Sequence, residues 1–360
     1  MVGQQSESMR VVPDTSERCL SILLWNTCNA QCAHCGPLSA PSDKTRNSRE
    51  LISRLIQEAE SLYGPGWTLS LSGGEPFLHF EELTSIIREA RSHNGYTTMI
   101  SNAYWARDFE CARQSLLPLV QNGLKILSIS ADSYHDPYIS FDRVVNALRA
   151  GESLGLRMTV RCVGSATSSA SEIMNRLRTA GVFYVHVMEM PLVREGRGAL
   201  RPDNEYLLLE HLPEGRCPSA SLTIDASSNA MVCCNGGGSD KSLQLGSAVT
   251  RTLSDLEYSF ASDPVINFLK KSGPAAAIDF LDEQEQSEIR SDRYVNECDL
   301  CMKIFNGARG CLVRRQIESR FLSSMQGEIV RIKRVAENRQ NTDQTGSVDE
   351  LGLLVEQHAD

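Results

Sequence analysis

The sequence lacks the features that would direct it to a membrane or a secretory route. Its 360 residues contain no uninterrupted apolar run near the roughly 18 residues that a membrane span needs. The first ten residues, MVGQQSESMR, do not show the charged and then apolar pattern of a signal peptide. We therefore expect a cytoplasmic protein with no membrane contact.

The chain also lacks a surplus of basic charge. It has 36 Lys and Arg against 45 Asp and Glu, which gives a net charge of −9. Proteins whose main task is to grip nucleic acid usually carry a basic excess, so we expect no nucleic-acid partner. Apolar residues make up 41% and charged residues 22%. These values are typical of globular proteins and exclude collagen-like and disordered classes.

Cysteine, by contrast, is abundant, with twelve residues in the chain. In a reducing cytoplasm, clustered cysteines indicate metal or redox sites rather than disulfides. Nine of the twelve fall in two groups, one early and one late in the sequence. The other three, Cys19, Cys111 and Cys162, fall in predicted strands or helices, where we expect them to pack as small apolar residues.

Residues 17–200 alternate between β-rich runs and amphipathic helical stretches. The predicted strands are Cys19–Trp25, Thr68–Leu71, Thr97–Ser101, Lys125–Ser130, Arg157–Val163 and Val182–Met188. The predicted helices are Arg49–Leu62, Phe80–His93, Phe109–Asn122, Ser140–Leu154 and Ser171–Ala180, and glycines at 64, 95, 123, 155 and 181 suit left-handed C-terminal caps. Six β/α units predict parallel strands joined by right-handed crossovers. We therefore predict an α/β fold, an open partial (β/α)6 TIM-like barrel with its ligands at the carboxyl ends of the strands.

The remaining segments predict a division of the chain into four parts. We expect a flexible N-terminus over 1–16, the barrel over 17–200, a small cysteine-rich domain over 201–337 and a polar, mobile tail over 338–360. Within the cysteine-rich part, the pattern predicts a strand pair inside Cys217–Gly238 and helices over Ser254–Lys271 and Ala275–Ser291. A long basic helix is predicted from Leu312 to about residue 337.

The first cysteine group directly follows the first predicted strand. Cys28, Cys32 and Cys35 have the spacing CxxxCxxC, and thiolates this close are expected to converge on one soft metal centre. One alternative is zinc with His34 as the fourth ligand. The other is a [4Fe–4S] cluster with one iron left open for a substrate.

A second motif, Ser72-Gly73-Gly74-Glu75-Pro76, follows the second predicted strand. Two glycines at this end of a barrel strand allow the backbone to approach a ligand closely. Glu75 offers a carboxylate to a cationic group such as an amino-acid ammonium. Alone, the motif is an ordinary strand–turn–helix junction; beside the cysteine loop it is highly specific.

With these two motifs in this order, the chain resembles the radical S-adenosylmethionine (SAM) enzymes over residues 17–200. The resemblance implies a [4Fe–4S] cluster held by Cys28, Cys32 and Cys35, with SAM bound to the open iron. It also implies a flavodoxin- or ferredoxin-type reductant, whose electron cleaves SAM to a 5′-deoxyadenosyl radical that abstracts hydrogen from a substrate. The protein itself then orients SAM and substrate and excludes water.

The resemblance also carries over individual positions, in strand order. His34 would lie near the SAM adenine; the alternative is a loop histidine on the surface. Arg161 on the fifth strand would pair with the SAM carboxylate. The other cofactor-binding positions that the resemblance implies are Gly73, Gly74, Glu75, Ser101, Asn102, Ser130 and Leu192. Candidate catalytic residues are Asp132, Tyr134 and His135, placed to face the substrate as acid or base; the alternative for the Tyr134-His135 pair is a loop that caps the fourth helix.

The second cysteine group resembles the SPASM or twitch extension of radical SAM enzymes. Candidate ligands are Cys217, Cys233, Cys298 and Cys301, with Cys234 or Cys311 as competitors. Since the full SPASM cysteine run is missing, the shorter twitch arrangement with one auxiliary [4Fe–4S] cluster fits better than two clusters. A zinc site built from the same thiolates is the alternative.

The resemblance leaves two substrate classes open. One is a ribosomally made precursor peptide, with a separate recognition protein delivering its leader. The other is a small molecule such as a sugar or cyclitol, acted on by a dehydrogenase or epimerase. A third hypothesis, a scaffold that binds metal without catalysis, would predict no SAM cleavage.

Overall fold

The computed structural model describes residues 18–218, 220–233, 241–324 and 326. The predicted flexible segment 1–16, Cys234, the second half of the predicted basic helix and the tail 338–360 lie outside these residues.

Six parallel strands form the predicted partial barrel. They are β1 (Cys19–Leu23), β2 (Thr68–Ser72), β3 (Tyr96–Ser101), β4 (Leu124–Ser130), β5 (Arg157–Gly164) and β6 (His186–Pro191). They pair in chain order, each parallel to the next. The connecting helices are α1 (Arg49–Tyr63), α2 (Phe80–Ser92), α3 (Phe109–Gln121), α4 (Phe141–Ser153) and α5 (Ala170–Thr179). The α/β barrel prediction is confirmed.

Each helix covers the sheet with one apolar face, and α1, α3 and α5 begin at a residue whose side chain caps the first turn. In α1, the Ser48 hydroxyl accepts from the Leu51 amide, and Leu55 and Ile56 are fully buried. They join Leu69 and Leu71 of β2 in one core. Burial of each such side chain contributes about 1.5–3 kcal/mol. This packing fixes the positions of the strand ends, and therefore the position of the site.

Two local predictions differ from the structure. β6 begins four residues later than predicted, because it is an edge strand with an irregular exposure pattern and no clear alternation to mark its start. At the end of α2, Asn94 rather than Gly95 adopts the positive φ. Gly95 instead faces the Trp67 ring, where an added Cβ would lie 2.7 Å from a ring atom.

The C-terminal part continues the barrel sheet. Strands β7 (Ala220–Ile224), β8 (Asn229–Cys233) and β9 (Gln244–Ser247) give a nine-stranded sheet in the order β6-β5-β4-β3-β2-β1-β7-β8-β9. β7 pairs parallel to β1, with Ser21 opposite Thr223. The predicted strand pair is therefore present, while β9 was not predicted.

Helices α6 (Leu253–Ser262), α7 (Pro264–Ser272), α8 (Glu283–Ser291), α9 (Glu297–Ile304) and α10 (307–324) pack behind these strands. The single helix predicted over Ser254–Lys271 is two helices, since Asp263 caps the amides of Val265 and Ile266 and Pro264 cannot donate to the preceding turn. The helix predicted over Ala275–Ser291 is a 3₁₀ turn followed by α8. Among the described helices, none is both long and apolar enough to span a membrane.

Candidate active site

The first cysteine group lies in the loop after β1, at the carboxyl ends of the strands. Cys28, Cys32 and Cys35 all line one cavity of about 440 Å³. The loop is held by its own backbone, since the Cys28 amide donates to Ala40 O at 3.2 Å and the Cys35 amide donates to Cys32 O at 3.2 Å. Burial raises the pKa of the Cys28 thiol to about 12. A metal that binds here must therefore displace protons from its ligands.

The two glycines of the SGGEP motif place it against the chain that leads into the cysteine loop. The Gly74 amide donates to Trp25 O at 2.6 Å, and the Glu75 amide donates to Thr27 O at 3.0 Å. A Cβ on Gly74 would lie 2.1 Å from Thr27 O, and one on Gly73, whose φ is +120°, would lie 2.5 Å from Trp25 O. Both glycines also line the cavity. Glycine at these positions therefore permits a close backbone contact, in addition to any contact with a ligand.

Glu75 has a different environment from the one we expected. Its side chain is 1% exposed, and it accepts from Phe77 N at 3.1 Å, Ser101 Oγ at 2.9 Å and Asn102 N at 2.8 Å. Burial raises the pKa of this carboxyl to about 7. The carboxylate faces the end of β3 rather than the cavity, so it orients Ser101 and Asn102, which do line the cavity.

The three candidate catalytic residues separate into different roles. Asp132 is 1% exposed and accepts four hydrogen bonds, from the Tyr134, His135 and Val163 amides and from His135 Nδ1 at 2.8 Å. The Tyr134 hydroxyl donates to Glu205 Oε2 at 2.9 Å, and Tyr134 is not part of the cavity lining. Asp132 and His135 do line the cavity. Of the three, His135 is thus the side chain available to a bound ligand.

His34 and His135 lie next to each other beside the cysteines, and the pKa values of their imidazoles shift in opposite directions. Their ring centroids are 5.0 Å apart. Burial, and then the nearby His135, lower the pKa of His34 to about 4. Burial also acts to lower the pKa of His135, but the Asp132 carboxylate outweighs it and holds that pKa well above 6.5. At neutral pH the cavity therefore contains a neutral His34 next to a cationic His135.

Four buried polar atoms of the cavity wall have no hydrogen-bond partner among the described residues. They are His34 Nδ1, Ser39 Oγ, Arg161 Nε and Thr223 Oγ1. Leaving such a group unsatisfied costs about 1–3 kcal/mol each, so these atoms indicate a ligand that supplies partners. Arg161 suits a carboxylate, and three nearby thiols suit an iron–sulfur cluster with an open iron. The residues present therefore fit a cluster with bound SAM.

The remaining predicted cofactor positions are Ser130 and Leu192, and only the first of them reaches the cavity. Ser130 lines the cavity. Leu192 does not; it is 2% exposed and packs in a small apolar cluster with Cys28, Cys32 and Tyr134. Its amide donates to Gly164 O at 2.8 Å. Leu192 thus supports the cysteine loop from behind.

The second cysteine group also converges on one cavity. Cys217 precedes β7, Cys233 ends β8, and Cys298 and Cys301 lie in α9; all four line this cavity with apolar neighbours. Burial, and then the nearby thiols of Cys233, Cys217 and Cys298, hold the pKa of Cys301 far above its usual range. Cys311 is exposed on α10 and is absent from the lining. The structure therefore brings together four of the five described candidates.

The spacing of the sulfurs bears on the zinc alternative. Among the described residues, the group of three or more potential ligands whose donor atoms all lie within 4.8 Å of one another is His34, Asp132 and His135. Neither cysteine group reaches that spacing. Zinc–sulfur bonds of about 2.3 Å in a tetrahedron require sulfurs about 3.8 Å apart. To bind zinc, either cysteine group would therefore have to draw its sulfurs closer together.

Sequence reasoning missed two residues of this site. Arg197, which is not among the predicted site residues, donates from Nε to Cys32 O at 2.8 Å and from Nη2 to Ser39 O at 2.7 Å. Thr223 reaches the cavity because β7 pairs with β1. No local signal in the sequence announces that pairing.

Comparisons with known proteins agree with this geometry. The sequence model described as "Radical SAM superfamily" matches residues 22–180. The chain is 22% identical over 299 residues to YydG of Bacillus subtilis (strain 168), which carries the provisional name of a peptide biosynthesis protein; the match covers 80% of this chain and 92% of YydG.

The chain is also similar to solved structures. That of anSMEcpe with bound AdoMet superposes with a TM-score of 0.51 at 13% identity, covering 84% of this chain and 95% of that one, which shows a shared fold. That of BtrN in complex with AdoMet and 2-DOIA has a TM-score of 0.46 at 16% identity, covering 71% and 88%. The family match, the cysteine loop and the partial barrel thus coincide: residues 22–180 are a radical SAM domain, which supports an enzyme that uses an iron–sulfur cluster.

Proposed function

We propose that this enzyme installs a post-translational modification on a ribosomally made precursor peptide. The observation that carries the proposal is the similarity to YydG, which extends beyond the radical SAM domain to 80% of the chain. With the cluster and SAM bound, the cofactor pair supplies a 5′-deoxyadenosyl radical that removes a hydrogen atom from the substrate. The electron comes from a flavodoxin- or ferredoxin-type reductant.

The residues of the chain bind and orient. Cys28, Cys32 and Cys35 hold the cluster, and Arg161, whose Nε has no other partner among the described residues, binds the SAM carboxylate. His34, Ser101, Asn102 and Ser130 contact the rest of SAM, together with the backbone at Gly73 and Gly74. His135, held by Asp132 at 2.8 Å, donates to the bound ligand.

We further propose that Cys217, Cys233, Cys298 and Cys301 hold one auxiliary [4Fe–4S] cluster. Their common cavity and wide spacing support this assignment. The division near residue 200 then separates two cofactor sites rather than two sheets, since β7 continues the barrel sheet. A separate protein that recognises the leader of the precursor completes the proposed set of partners.

The test is SAM cleavage in the presence of candidate substrates. Anaerobically reconstituted enzyme is incubated with reductant, SAM and synthetic peptides encoded beside its gene, and 5′-deoxyadenosine and peptide masses are measured. We expect peptide-dependent 5′-deoxyadenosine and a changed peptide mass, and neither with Cys32→Ala. Stimulation by sugars or cyclitols, without any response to peptides, would contradict the proposal and support the small-molecule alternative.

A further inference from the structure

A four-residue segment after β6, Arg194–Arg197, contacts both cysteine sites; we call it the bridge segment. At its C-terminal end, the Arg197 amide donates to Cys35 O at 3.1 Å. The Arg197 side chain donates to Cys32 O at 2.8 Å and to Ser39 O at 2.7 Å. One residue thus holds three carbonyls of the first cysteine loop.

Close backbone packing makes this contact rigid. Gly196 has a φ of +52°, and a Cβ there would lie 2.3 Å from Gly36 O and 2.5 Å from Cys35 O. On the loop side, a Cβ on Gly36 would lie 2.4 Å from Glu195 Oε1. At Gly196 the two backbones therefore lie at the minimum separation that glycine permits, whereas Gly36 faces the flexible side chain of Glu195.

At its other end, the bridge segment is tied to the second cysteine site. Arg194 Nη1 donates to Asp299 Oδ2 at 2.7 Å, and the Asp299 side chain is only 2% exposed. Asp299 stands between Cys298 and Cys301, and its carboxylate also accepts from the Val295 amide at 3.1 Å. The Arg194 guanidinium lies 4.7 Å from the centre of the Tyr206 ring.

We propose that the bridge segment couples the two cysteine sites, with Arg194 and Arg197 as positioning residues, so that the Arg194–Asp299 ion pair sets the geometry of the first cysteine loop. The Asp299 carboxylate is buried whereas Arg194 is partly exposed, so removing Arg194 leaves a buried charge uncompensated. Only two residues separate Arg194 from Arg197. A change at one end is therefore transmitted to the carbonyls of Cys32, Cys35 and Ser39.

The experiment compares reconstituted wild type with Arg194→Gln by anaerobic hydrogen exchange. We expect the amides of residues 28–39 to exchange about tenfold faster in Arg194→Gln. We also expect the electron paramagnetic resonance signal of the reduced, SAM-bound first cluster to shift. Arg194→Lys, which keeps the charge, should restore part of both effects, and iron content should stay at the wild-type level.

The matched control is Arg290→Gln, which removes an exposed ion pair with Asp279 at 3.3 Å in the same part of the chain and should change neither readout. Asp299→Asn removes the other partner of the same ion pair and replaces Arg194→Gln if that variant does not fold. In the double variant, the effects of the two substitutions should not add. Wild-type exchange and an unshifted signal in both single variants would overturn the proposal. Although the proposal builds on the assigned cluster sites, neither readout needs a substrate, so its failure is distinct from failure of the proposed peptide modification.

Discussion

Replacing Cys301 by alanine should remove one complete cluster and leave the other. Cys301 is the member of the second cysteine group whose thiol lies among all three of the others, since Cys217, Cys233 and Cys298 each act on its pKa. The surrounding wall is apolar apart from Glu297, whose carboxylate accepts from the Gly215 amide at 3.1 Å, and its described residues offer no further thiol to replace a lost one. Loss of Cys301 should therefore prevent binding of the whole second cluster.

The expected magnitude follows from two four-iron clusters. Wild type should contain about eight irons and eight sulfides per chain after anaerobic reconstitution, and Cys301→Ala about four. Removing Cys28, Cys32 and Cys35 together should also leave about four, now without any SAM-dependent signal. Iron and sulfide assays with metal analysis by mass spectrometry give these values directly.

Cys311→Ala is the control, because Cys311 is exposed and outside the cavity; it should retain about eight irons. A loss of four irons in Cys311→Ala would show that this residue is a ligand and that the four-cysteine assignment is incorrect. About twelve irons in wild type would require two auxiliary clusters. Zinc in place of iron at the second site would refute the argument from sulfur spacing.

Three further outcomes test other parts of the structure. Arg161→Gln should weaken SAM binding to the loaded enzyme about 10- to 100-fold in calorimetric titration, through loss of a charged hydrogen bond; Arg157→Gln, at the exposed start of the same strand, should not. Gly74→Ala should lower the free energy of unfolding by about 3 kcal/mol because the added Cβ meets backbone, while Gly155→Ala, where no atom lies within 4 Å, should cost only about 1 kcal/mol for its positive φ; urea denaturation measures both, and equal losses would refute the steric argument. Burial raises the pKa of Glu257, so the folded state keeps a proton that the unfolded state releases, and stability falls as pH rises above the ordinary glutamate range. The free energy of unfolding of Glu257→Gln minus that of wild type should therefore be greater at pH 8 than at pH 5. An identical difference at both pH values would contradict the raised pKa of Glu257.

The barrel could be predicted because its signals are local. Ser48 followed by the apolar face of α1, and the matching patterns of the next four helices, fix element type within a few residues of chain. The strand order then follows from the preference for right-handed parallel crossovers. The edge strand β6 was placed less well, since exposure on both faces removes the alternation on which a strand assignment depends.

The convergence of the first cysteines could be predicted, but the contacts that support them could not. Cysteine spacing predicts that Cys28, Cys32 and Cys35 lie together, and all three line one cavity. The burial of Glu75 against Ser101 and Asn102 depends instead on how β2 and β3 end side by side. Tyr134 was expected to face the substrate, yet it donates to Glu205, 71 residues further along the chain. Such partners are set by tertiary packing, which no local pattern reports.

The position of β1 in the sheet has a consequence for how the chain is made. β1 has a paired strand on both sides only after β7 is made. Ser21 lies opposite Thr223, which is synthesised roughly 200 residues later. At about 5–20 residues per second, one edge of the first strand stays open for roughly 10–40 s while the barrel forms around it. During most of that interval the first cysteine loop is already present, whereas the bridge segment and Cys217 are made only near its end. The open edge of β1 and the first cysteine loop are therefore made long before the β7–β8 hairpin that completes the sheet on that side.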